Sequence, residues 1–291
     1  MNYFKTTFLM ALLTSLFVGL GFLIGGQAGM ILAFLMALVM NFLAYWHSDQ
    51  MVLKIYKAQP IDQHELSWLY TMVQQLAVQA NLPIPQLYLI HNPQPNAFAT
   101  GRNPVHAAIA VTTGLIQELS REEVTGVIAH EMAHIKNRDT LTMTITATLA
   151  GAISMLANMA FFFGGRDRNS NVFVTLLVAL LAPLAAMLVQ MAISRSREYE
   201  ADRVGSLISG DPLKLASALK KIDNFSKKTQ NVIVDTHPAT AHMFIINPLK
   251  AQSLKTLFST HPHTEDRIKK LMDMANSNTT LAASYSKGPW D

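Results

Sequence analysis

Long apolar runs without charged residues alternate with polar segments along this chain, and the first such interval lies at the N-terminus. Between Lys5 and Asp49 there is no Lys, Arg, Asp or Glu, and the interval holds two apolar runs separated by the segment GGQAG. Each run is about long enough to cross a ~30 Å hydrocarbon layer as a helix. The pattern therefore predicts a transmembrane helical hairpin over residues 1–47. A cleaved signal peptide is the alternative for the first run, and the second run that follows at once disfavours it.

Two further charge-free intervals, 140–165 and 169–194, follow in the middle of the chain, separated only by the segment RDR. They predict a second transmembrane hairpin over residues 140–194. These runs are less apolar than the first pair, and Pro183 interrupts the second of them. A buried helical hairpin of a soluble core therefore stays open as an alternative for this part of the chain.

Basic residues at the ends of the apolar runs predict how the chain crosses the bilayer, because they favour the cytoplasmic side. Most of them flank the runs on the side of the two termini, whereas the loop of the first hairpin is uncharged. Arg166 and Arg168, in the loop of the second hairpin, oppose this trend. The balance predicts that both termini and the polar segments face the cytoplasm. The basic residues on that side are Lys5, Lys54, Lys57, Lys136, Arg138, Arg195, Arg197 and Arg203.

The polar segments show the patterns of helices and short strands. Residues 61–81 carry apolar positions at helical spacing, and the segments PQLYLIHN and HAAIAVTTGLI have the composition of two strands. Between them, PNAFATGRNP is bounded by prolines and is typical of a turn or an edge segment. Ser120, followed three residues later by Glu123, is a capping-box signature for a helix. Later helices are predicted over 211–226 and 264–275, with a flexible tail after them.

Composition supports a membrane protein and excludes several kinds of site. Half of the residues are hydrophobic and only 14% are charged, whereas about a quarter are charged in a usual soluble domain. The net charge is +4 and the basic residues are dispersed, which argues against a nucleic-acid partner. The chain has no cysteine, so disulfides, thiolate nucleophiles and cysteine-ligated zinc are excluded. Any metal must be held by histidine and carboxylate ligands.

The sequence HEMAH, in the predicted capped helix, is a candidate metal-binding motif. His130 and His134 lie one helical turn apart, so both imidazoles can reach one ion, and Glu131 lies beside them. Two neutral imidazoles can hold zinc and leave positions for other ligands, and a neighbouring carboxylate can take a proton from water. The motif therefore predicts a zinc-dependent hydrolytic site with Glu131 as its general base.

A catalytic zinc site needs a third protein ligand, and the segment SRSREYEADRVG after the last apolar run contains the candidates. Glu198 and Asp202 share one face of a helix and Glu200 lies on another, and spacing alone leaves open which face points inward. If the second pair of apolar runs forms a hairpin, His134 and Glu198 stand on the same side of the membrane. Their heights above its boundary would be roughly 9 Å and 6 Å, so the hairpin would bring the two segments together.

The motifs NAFATG, HEMAH, SRSREYEAD and STHPHTEDRI, found in this order together with four apolar runs, resemble the HtpX family of membrane zinc metalloproteases. This family is related to the CaaX prenyl endopeptidases. The resemblance covers nearly the whole chain and implies a zinc endopeptidase at the cytoplasmic face of a bacterial inner membrane, acting in quality control of membrane proteins. It implies an α-helical membrane protein with about four transmembrane helices and a mainly helical α+β protease domain of the gluzincin type, carrying a small sheet. That domain would comprise residues 48–139 and 195–275, followed by a flexible tail over 276–291.

Residue by residue, the resemblance implies one Zn²⁺ per chain, held by His130, His134 and Glu198, with Glu131 as the catalytic base. Asp202 matches a family aspartate that hydrogen-bonds a ligand histidine and fixes its tautomer and orientation.

Two positions near these motifs are variable or depart from the family pattern. Glu200 fills the variable position of the family's E-[FY]-x-A-D motif, and is left out of the site. His263 stands where the family more usually has a second proline, which leaves the role of His261 open. Further donors to the transition state are expected, and the candidates are Tyr199, His261 and Arg267.

An extended peptide is expected to pair with the NAFATG segment as an added strand, with Asn96, Phe98 and Ala99 as candidate contacts. His91 and His106 lie in predicted strands outside the motifs and are not expected to bind metal.

The expected partners are unfolded or membrane protein substrates and the lipid bilayer. The alternatives are a membrane scaffold or sensor with a structural zinc, and a CaaX-type prenyl-protein protease. A site-two type of intramembrane protease is disfavoured because polar residues precede HEMAH.

Overall fold

A computed structural model describes residues 2–146, 195–228, 245 and 262–286 of the chain. Most of the predicted second hairpin, residues 140–194, lies outside the described residues. Its first part, 140–146, is a helix whose side chains are buried.

The N-terminal apolar hairpin is present as one long helix with a sharp break. Helix α1 spans Asn2–Ile55 and is interrupted at Gly25 and Gly26, where Gly26 has a φ of 56° that suits a residue without a side chain. Asn41 Nδ2 donates to Thr14 Oγ1 at 2.8 Å and links the two halves. Within the described residues, Gly25–His47 is the one helix long and apolar enough to cross a membrane, and 11% of its most apolar stretch is buried. The number of four spans stays a prediction.

A four-stranded mixed sheet follows α1. Its strands are β1 (Gln59–Pro60), β2 (Gln86–Ile90), β3 (Ala97–Gly101) and β4 (Ala107–Thr112), in the spatial order β1-β2-β4-β3. Strand β2 runs parallel to β4, and the other two pairs are antiparallel. The two predicted strands are therefore confirmed, except that the end of the second one, residues 113–116, belongs to a helix. The proline-bounded segment between them forms the edge strand β3.

Helix α2 spans Ser67–Ala80 and begins later than the predicted helix over 61–81. The difference arises because Ile61 N–H donates to the carbonyl of Leu87 and prolongs the pairing of β1 with β2. Backbone groups that are used in a sheet cannot also start a helix. The sheet and α2 together form one side of the hydrophobic core.

The next two helices are α3 (Thr113–Glu118) and α4 (Arg121–Lys136), and α4 carries the HEMAH motif. The predicted capping box is confirmed: Ser120 N–H donates to Glu123 Oε2 at 2.8 Å, and Glu123 N–H donates to Ser120 Oγ at 3.3 Å. Most of the helix after its first turn is buried. A helix that is buried on nearly all sides lies inside a fold, so α4 is the central element of the described domain.

Three further helices are described: α5 (Arg195–Ser209), α6 (Pro212–Lys228) and α7 (Thr264–Ser286). Helices α5 and α6 pack on α4, and α7 packs on α5 and α6. Helix α5 lies very close to α4, since a Cβ added at Gly205 would stand 2.9 Å from the backbone N and Cα of His130. Helix α7 continues into the segment that was predicted to be a flexible tail. The described part of the chain is thus mainly helical with a small mixed sheet, as predicted.

Candidate metal centre

Helix α4 brings the two histidines of HEMAH to one point in the interior. His130 and His134 are exposed by only 1% and 3%, and their Nε2 atoms lie 3.2 Å apart. The four-residue spacing places both imidazoles on the same face of the helix. Two ring nitrogens therefore converge in a space from which bulk water is largely excluded.

Glu198, in the first turn of α5, faces the two imidazoles from the opposite side. Its Oε2 lies 3.8 Å from His130 Nε2, and its Oε1 lies 3.7 Å from His134 Nε2. One ligand atom from each of the three residues lies within 4.8 Å of the others, and all three side chains are buried. Glu200 is exposed and pairs with Arg203 at 2.7 Å, so the inward face of α5 is that of Glu198.

This donor set fits a zinc ion on distance and on charge. Two ligand nitrogens at about 2.0–2.1 Å from one tetrahedral ion lie roughly 3.3 Å apart, close to the 3.2 Å observed between the imidazoles. The carboxylates around the imidazoles belong to Glu131, Asp139, Glu198 and Asp202, and two guanidinium groups, from Arg197 and Arg267, lie among them. Among the described residues, four carboxyl groups thus face two guanidinium groups, and a divalent cation would balance this excess of acidic groups.

Each imidazole is also held from behind by an aspartate. His130 Nδ1 lies 3.0 Å from Asp202 Oδ1, and His134 Nδ1 lies 3.4 Å from Asp139 Oδ2. A carboxylate next to Nδ1 favours the tautomer that carries its proton there, which leaves the Nε2 lone pair for a metal. Both aspartates thus aim the Nε2 atoms at the point faced by Glu198.

Arg267, on α7, fixes the first of these aspartates. Its Nε and Nη2 donate to the two carboxylate oxygens of Asp202 at 2.9 and 2.7 Å, and its Nη1 donates to the carbonyl of Ile245 at 2.7 Å. Burial acts to raise the pKa of Asp202, but Arg267 and His130 outweigh it and hold the pKa below its usual value. Arg267 was one of three candidates for a further donor to the transition state. In this structure all three guanidinium nitrogens donate to protein acceptors, so the side chain acts as a clamp.

The two imidazoles differ in their affinity for a proton. Burial lowers the pKa of His130, and the nearby charge of Arg267 acts in the same direction. Burial would also lower the pKa of His134, but the hydrogen bond to Asp139 and the negative charges of Glu198 and Glu131 raise it to about 9. The negative field of the site therefore acts most strongly at His134.

Glu131 lies at the border between the metal-binding group and the sheet. Its Oε2 accepts a hydrogen bond of 2.7 Å from the backbone N–H of Ala99 in β3. Burial raises the pKa of this carboxyl to about 7, although His134 and Ala99 act against it. A carboxyl with a pKa near 7 can both accept and return a proton at neutral pH.

The other predicted site residues occupy different surroundings. Asn96 Oδ1 accepts the backbone N–H of Ile245, and the Phe98 ring packs against Tyr56 with centroids 5.2 Å apart, in a cluster away from α4. Lys270 Nζ lies over the Tyr199 ring at 3.3 Å, and His261 lies outside the described residues. Of the three residues predicted to contact substrate, Ala99 alone contacts a residue of the candidate site. The two histidines predicted not to bind metal, His91 and His106, are exposed, and each contacts an amide side chain.

The sequence pattern of peptidase family M48 matches residues 63–275. The chain belongs to peptidase family M48. A protease HtpX homolog from Burkholderia mallei (strain SAVP1) is 57% identical over 279 residues, which are 95% of this chain and 98% of that protein. The homolog from strain NCTC 10229 matches with the same values. The resemblance to HtpX proteases is therefore confirmed, and the chain is a metalloprotease.

A solved structure agrees with this assignment at the level of the fold. The crystal structure of S. mikatae Ste24p is similar with a TM-score of 0.51 and 18% sequence identity, over 93% of this chain. The present chain spans 65% of that chain, which is less than two thirds of its length. At this identity the similarity concerns the fold alone.

Two residues of this M48 centre were not identified from the sequence: Asp139 and Arg197. Asp139 contacts His134, and its other oxygen lies 3.5 Å from Nη1 of Arg197, the residue that precedes Glu198. The signal available was a carboxylate five residues after the second histidine, just beyond the end of α4. The sequence could not show that the Asp139 side chain points towards His134. This orientation depends on Arg138, whose φ of 58° turns the chain back towards that histidine.

We expect Glu198→Ala to lower the zinc affinity of the purified protein by at least two orders of magnitude, because it removes one of three ligands. Glu200→Ala is the matched control, since it removes a glutamate from the same helix at an exposed position. Metal content after dialysis against graded chelator concentrations measures both. Loss of metal from the Glu200 variant together with its retention by the Glu198 variant would reverse the ligand assignment.

We expect Asp139→Asn to lower zinc affinity about tenfold, because the negative charge behind His134 is lost. The helix that follows should still form, since Met143 N–H donates to the carbonyl of Asp139 and asparagine is as good an N-cap residue as aspartate. The same dialysis series measures the effect, and circular dichroism checks the helix content. Asp62→Asn, at an exposed turn, is the control. Equal affinity of the Asp139 variant and the wild type would show that this carboxylate does not orient His134.

Proposed function

We propose that this M48 protein is a zinc-dependent endopeptidase at the cytoplasmic face of a bacterial inner membrane, cleaving misfolded or damaged membrane proteins. The observation that supports it best is the position of Glu131. A carboxyl whose pKa is raised to about 7 lies beside a buried group of two imidazoles and one carboxylate, the donor set of a catalytic zinc site with an open position. A structural zinc would be enclosed by four protein ligands, whereas three are brought together within the described residues.

Different residues of the chain have different roles in the proposed peptide hydrolysis. His130, His134 and Glu198 would hold a zinc ion, which would supply Lewis-acid chemistry by polarising a carbonyl group and lowering the pKa of water. Glu131 takes a proton from the attacking water and returns one to the leaving amine. Before a peptide binds, the Ala99 N–H holds the Glu131 carboxylate at the edge of the sheet. The proton transfers therefore take place next to β3.

Strand β3 is suited to hold a peptide in extended form. The carbonyl of Asn96 accepts Thr112 N–H and faces β4, whereas Ala99 N–H points the other way, towards Glu131. Backbone groups alternate along an antiparallel edge strand, so those of Ala97, Ala99 and Gly101 point away from β4, although the strand itself is buried. A peptide paired there would run past the candidate base. Recognition through backbone hydrogen bonds reads little side-chain identity and suits a protease of many unfolded substrates.

The proposed position of the metal centre next to the membrane is based on two apolar segments that adjoin the protease domain in sequence. The apolar helix Gly25–His47 precedes the sheet and is mostly unburied. The helix over 140–146 begins six residues after His134, and these residues are the start of the charge-free run predicted to span the bilayer. We infer four spans with both termini on the side of the metal centre, which would hold the site just outside the lipid.

We expect Glu131→Gln to keep zinc and to lose peptide hydrolysis by two to four orders of magnitude, because the amide cannot accept the proton. The measurement is cleavage of an unfolded protein such as casein by the zinc-loaded protein in detergent, with metal content determined on the same sample. Removal of zinc by a chelator should abolish activity in the wild type, and added zinc should restore it. Turnover by the glutamine variant at the wild-type rate would contradict the role of Glu131.

The absence of cysteine from the chain allows a direct test of topology. We expect a membrane-impermeant maleimide, added to cells with a permeable outer membrane, to label Gln27→Cys in the loop of the first hairpin. His106→Cys, on the exposed surface of the protease domain, should be labelled only after the inner membrane is lysed. Labelling of the second variant in unlysed cells would place the metal centre outside the cytoplasm.

A further inference from the structure

We propose that a basic pocket next to the membrane binds the phosphate group of an anionic phospholipid. The basic pocket is a cavity of about 650 Å³ formed by the end of α2 and its following turn (Ala80–Pro83), the β3–β4 loop (Asn103–Val105) and the end of α4 (Lys136 and Arg138). It lies outside the metal-binding group and contains none of the residues that act in hydrolysis. The inference rests on the membrane placement proposed above.

The charge of the basic pocket favours an anion. Lys136 and Arg138 are both exposed and line the same cavity, and none of the other lining residues is acidic. Asn81 and Asn103 add side-chain amides that can donate to phosphate oxygens. The cleft between α6 and α7 provides a contrast, because its lysines are mixed with three acidic residues, Asp223, Glu265 and Asp273. An anion is therefore attracted to the basic pocket more strongly than to that cleft.

Two contacts place the basic pocket beside the proposed membrane surface. Arg102, directly before the lining residue Asn103, stacks on the Trp46 ring at 4.8 Å and donates to the Trp46 carbonyl at 3.4 Å. Trp46 lies at the end of the apolar helix Gly25–His47, where amphipathic rings prefer the lipid–water border. On its other side the pocket ends at Arg138, two residues before the helix at 140–146. The cavity thus opens between two places where the chain would enter the bilayer.

The apolar rim selects a lipid over a free anion. Val105, in the wall of the basic pocket, is 73% exposed, and Ile84, next to the wall residue Pro83, is 47% exposed. Such side chains gain from contact with the glycerol and acyl part of a phospholipid, and offer nothing to inorganic phosphate. Basic pockets at the cytoplasmic ends of membrane helices are suited to phosphate headgroups. The combination of two cations with an apolar rim therefore indicates an anionic phospholipid.

The test is a titration of the purified full chain in a neutral detergent with dioctanoyl phosphatidylglycerol, read as the rise in the temperature of thermal unfolding. A ligand that binds only the folded state raises this temperature, and the rise grows with the logarithm of the ligand concentration relative to its dissociation constant. The informative variant is Lys136→Gln with Arg138→Asn, since asparagine tolerates the left-handed backbone at position 138. Lys220→Gln with Lys269→Gln is the matched control, because it removes two exposed lysines from the cleft between α6 and α7.

We expect the anionic lipid to stabilise the wild type and the control variant equally, and to bind the Lys136/Arg138 variant at least about tenfold more weakly. Dioctanoyl phosphatidylcholine, which carries no net charge, should give little shift. The lipid-free unfolding temperature of each variant shows whether its fold is intact, and the single variant Lys136→Gln serves if the double variant is unstable. An equal shift in all variants, or an equal shift with phosphatidylcholine, would overturn the proposal. A shift produced as well by inorganic phosphate would overturn the assignment to lipid. Because the readout is binding, loss of the proposed protease activity would leave this test unaffected.

Discussion

The buried ion pair between Arg267 and Asp202, next to His130, is the interaction on which the rest of the centre depends. Arg267 is only 1% exposed, and a guanidinium group out of water is stable only where carboxylate and carbonyl acceptors replace its hydration. Asp202 and the carbonyl of Ile245 supply these acceptors, and the same Asp202 holds the ring of His130. Helices α4, α5 and α7 must therefore be in place before His130 Nε2 faces Glu198. Removal of one partner would leave a charge buried without compensation, so the metal-binding group and the packing of these helices form together.

The second imidazole is held by a looser version of the same arrangement. The distance from His134 Nδ1 to its aspartate is 3.4 Å, against 3.0 Å at His130, and the Arg197 side chain is 14% exposed, against 1% for Arg267. Water can reach this guanidinium and weaken its field, so Asp139 is less firmly fixed than Asp202. Asp139 also lies at the start of the helix over 140–146, which makes the orientation of His134 depend on how that helix leaves the domain. Of the two histidines of the candidate centre, His134 is thus the one whose position the proposed second transmembrane hairpin can affect.

Features set by local spacing could be predicted from the sequence, and features set by packing could not. The pairing of His130 with His134 and the capping box of α4 follow from the period of a helix, which is independent of the rest of the fold. The choice between Glu198 and Glu200 required the resemblance to a family, because the two faces of α5 are equivalent until its neighbours are known. Asp139 was missed because the left-handed turn at Arg138 reverses the chain, and an arginine gives no sign of such a turn.

The orientation of the side chains predicted to contact substrate could not be derived from the sequence either. The edge strand was located correctly, but alternation within it decides which groups face the site. Asn96 reaches Ile245 and Phe98 packs against Tyr56, so their side chains support the strand. The predicted helix over 61–81 started too early for a related reason, since Ile61 is used in the sheet by a partner, Leu87, that is distant in sequence. Long-range hydrogen bonds of this kind leave no mark on the hydrophobic pattern.

The edge strand also links substrate binding to the proposed base. The outward N–H of Ala99 is the group that an added strand would use, and it is the group that holds the Glu131 carboxylate at 2.7 Å. A backbone N–H is a single donor, so a peptide carbonyl that pairs at Ala99 must displace Glu131. The displaced carboxylate loses a hydrogen bond that stabilises its charged form, and its affinity for a proton rises. Under the proposed function, pairing of a peptide with β3 would therefore free the base and make it more basic in the same step. A folded surface that cannot present an extended strand would leave Glu131 bound to Ala99.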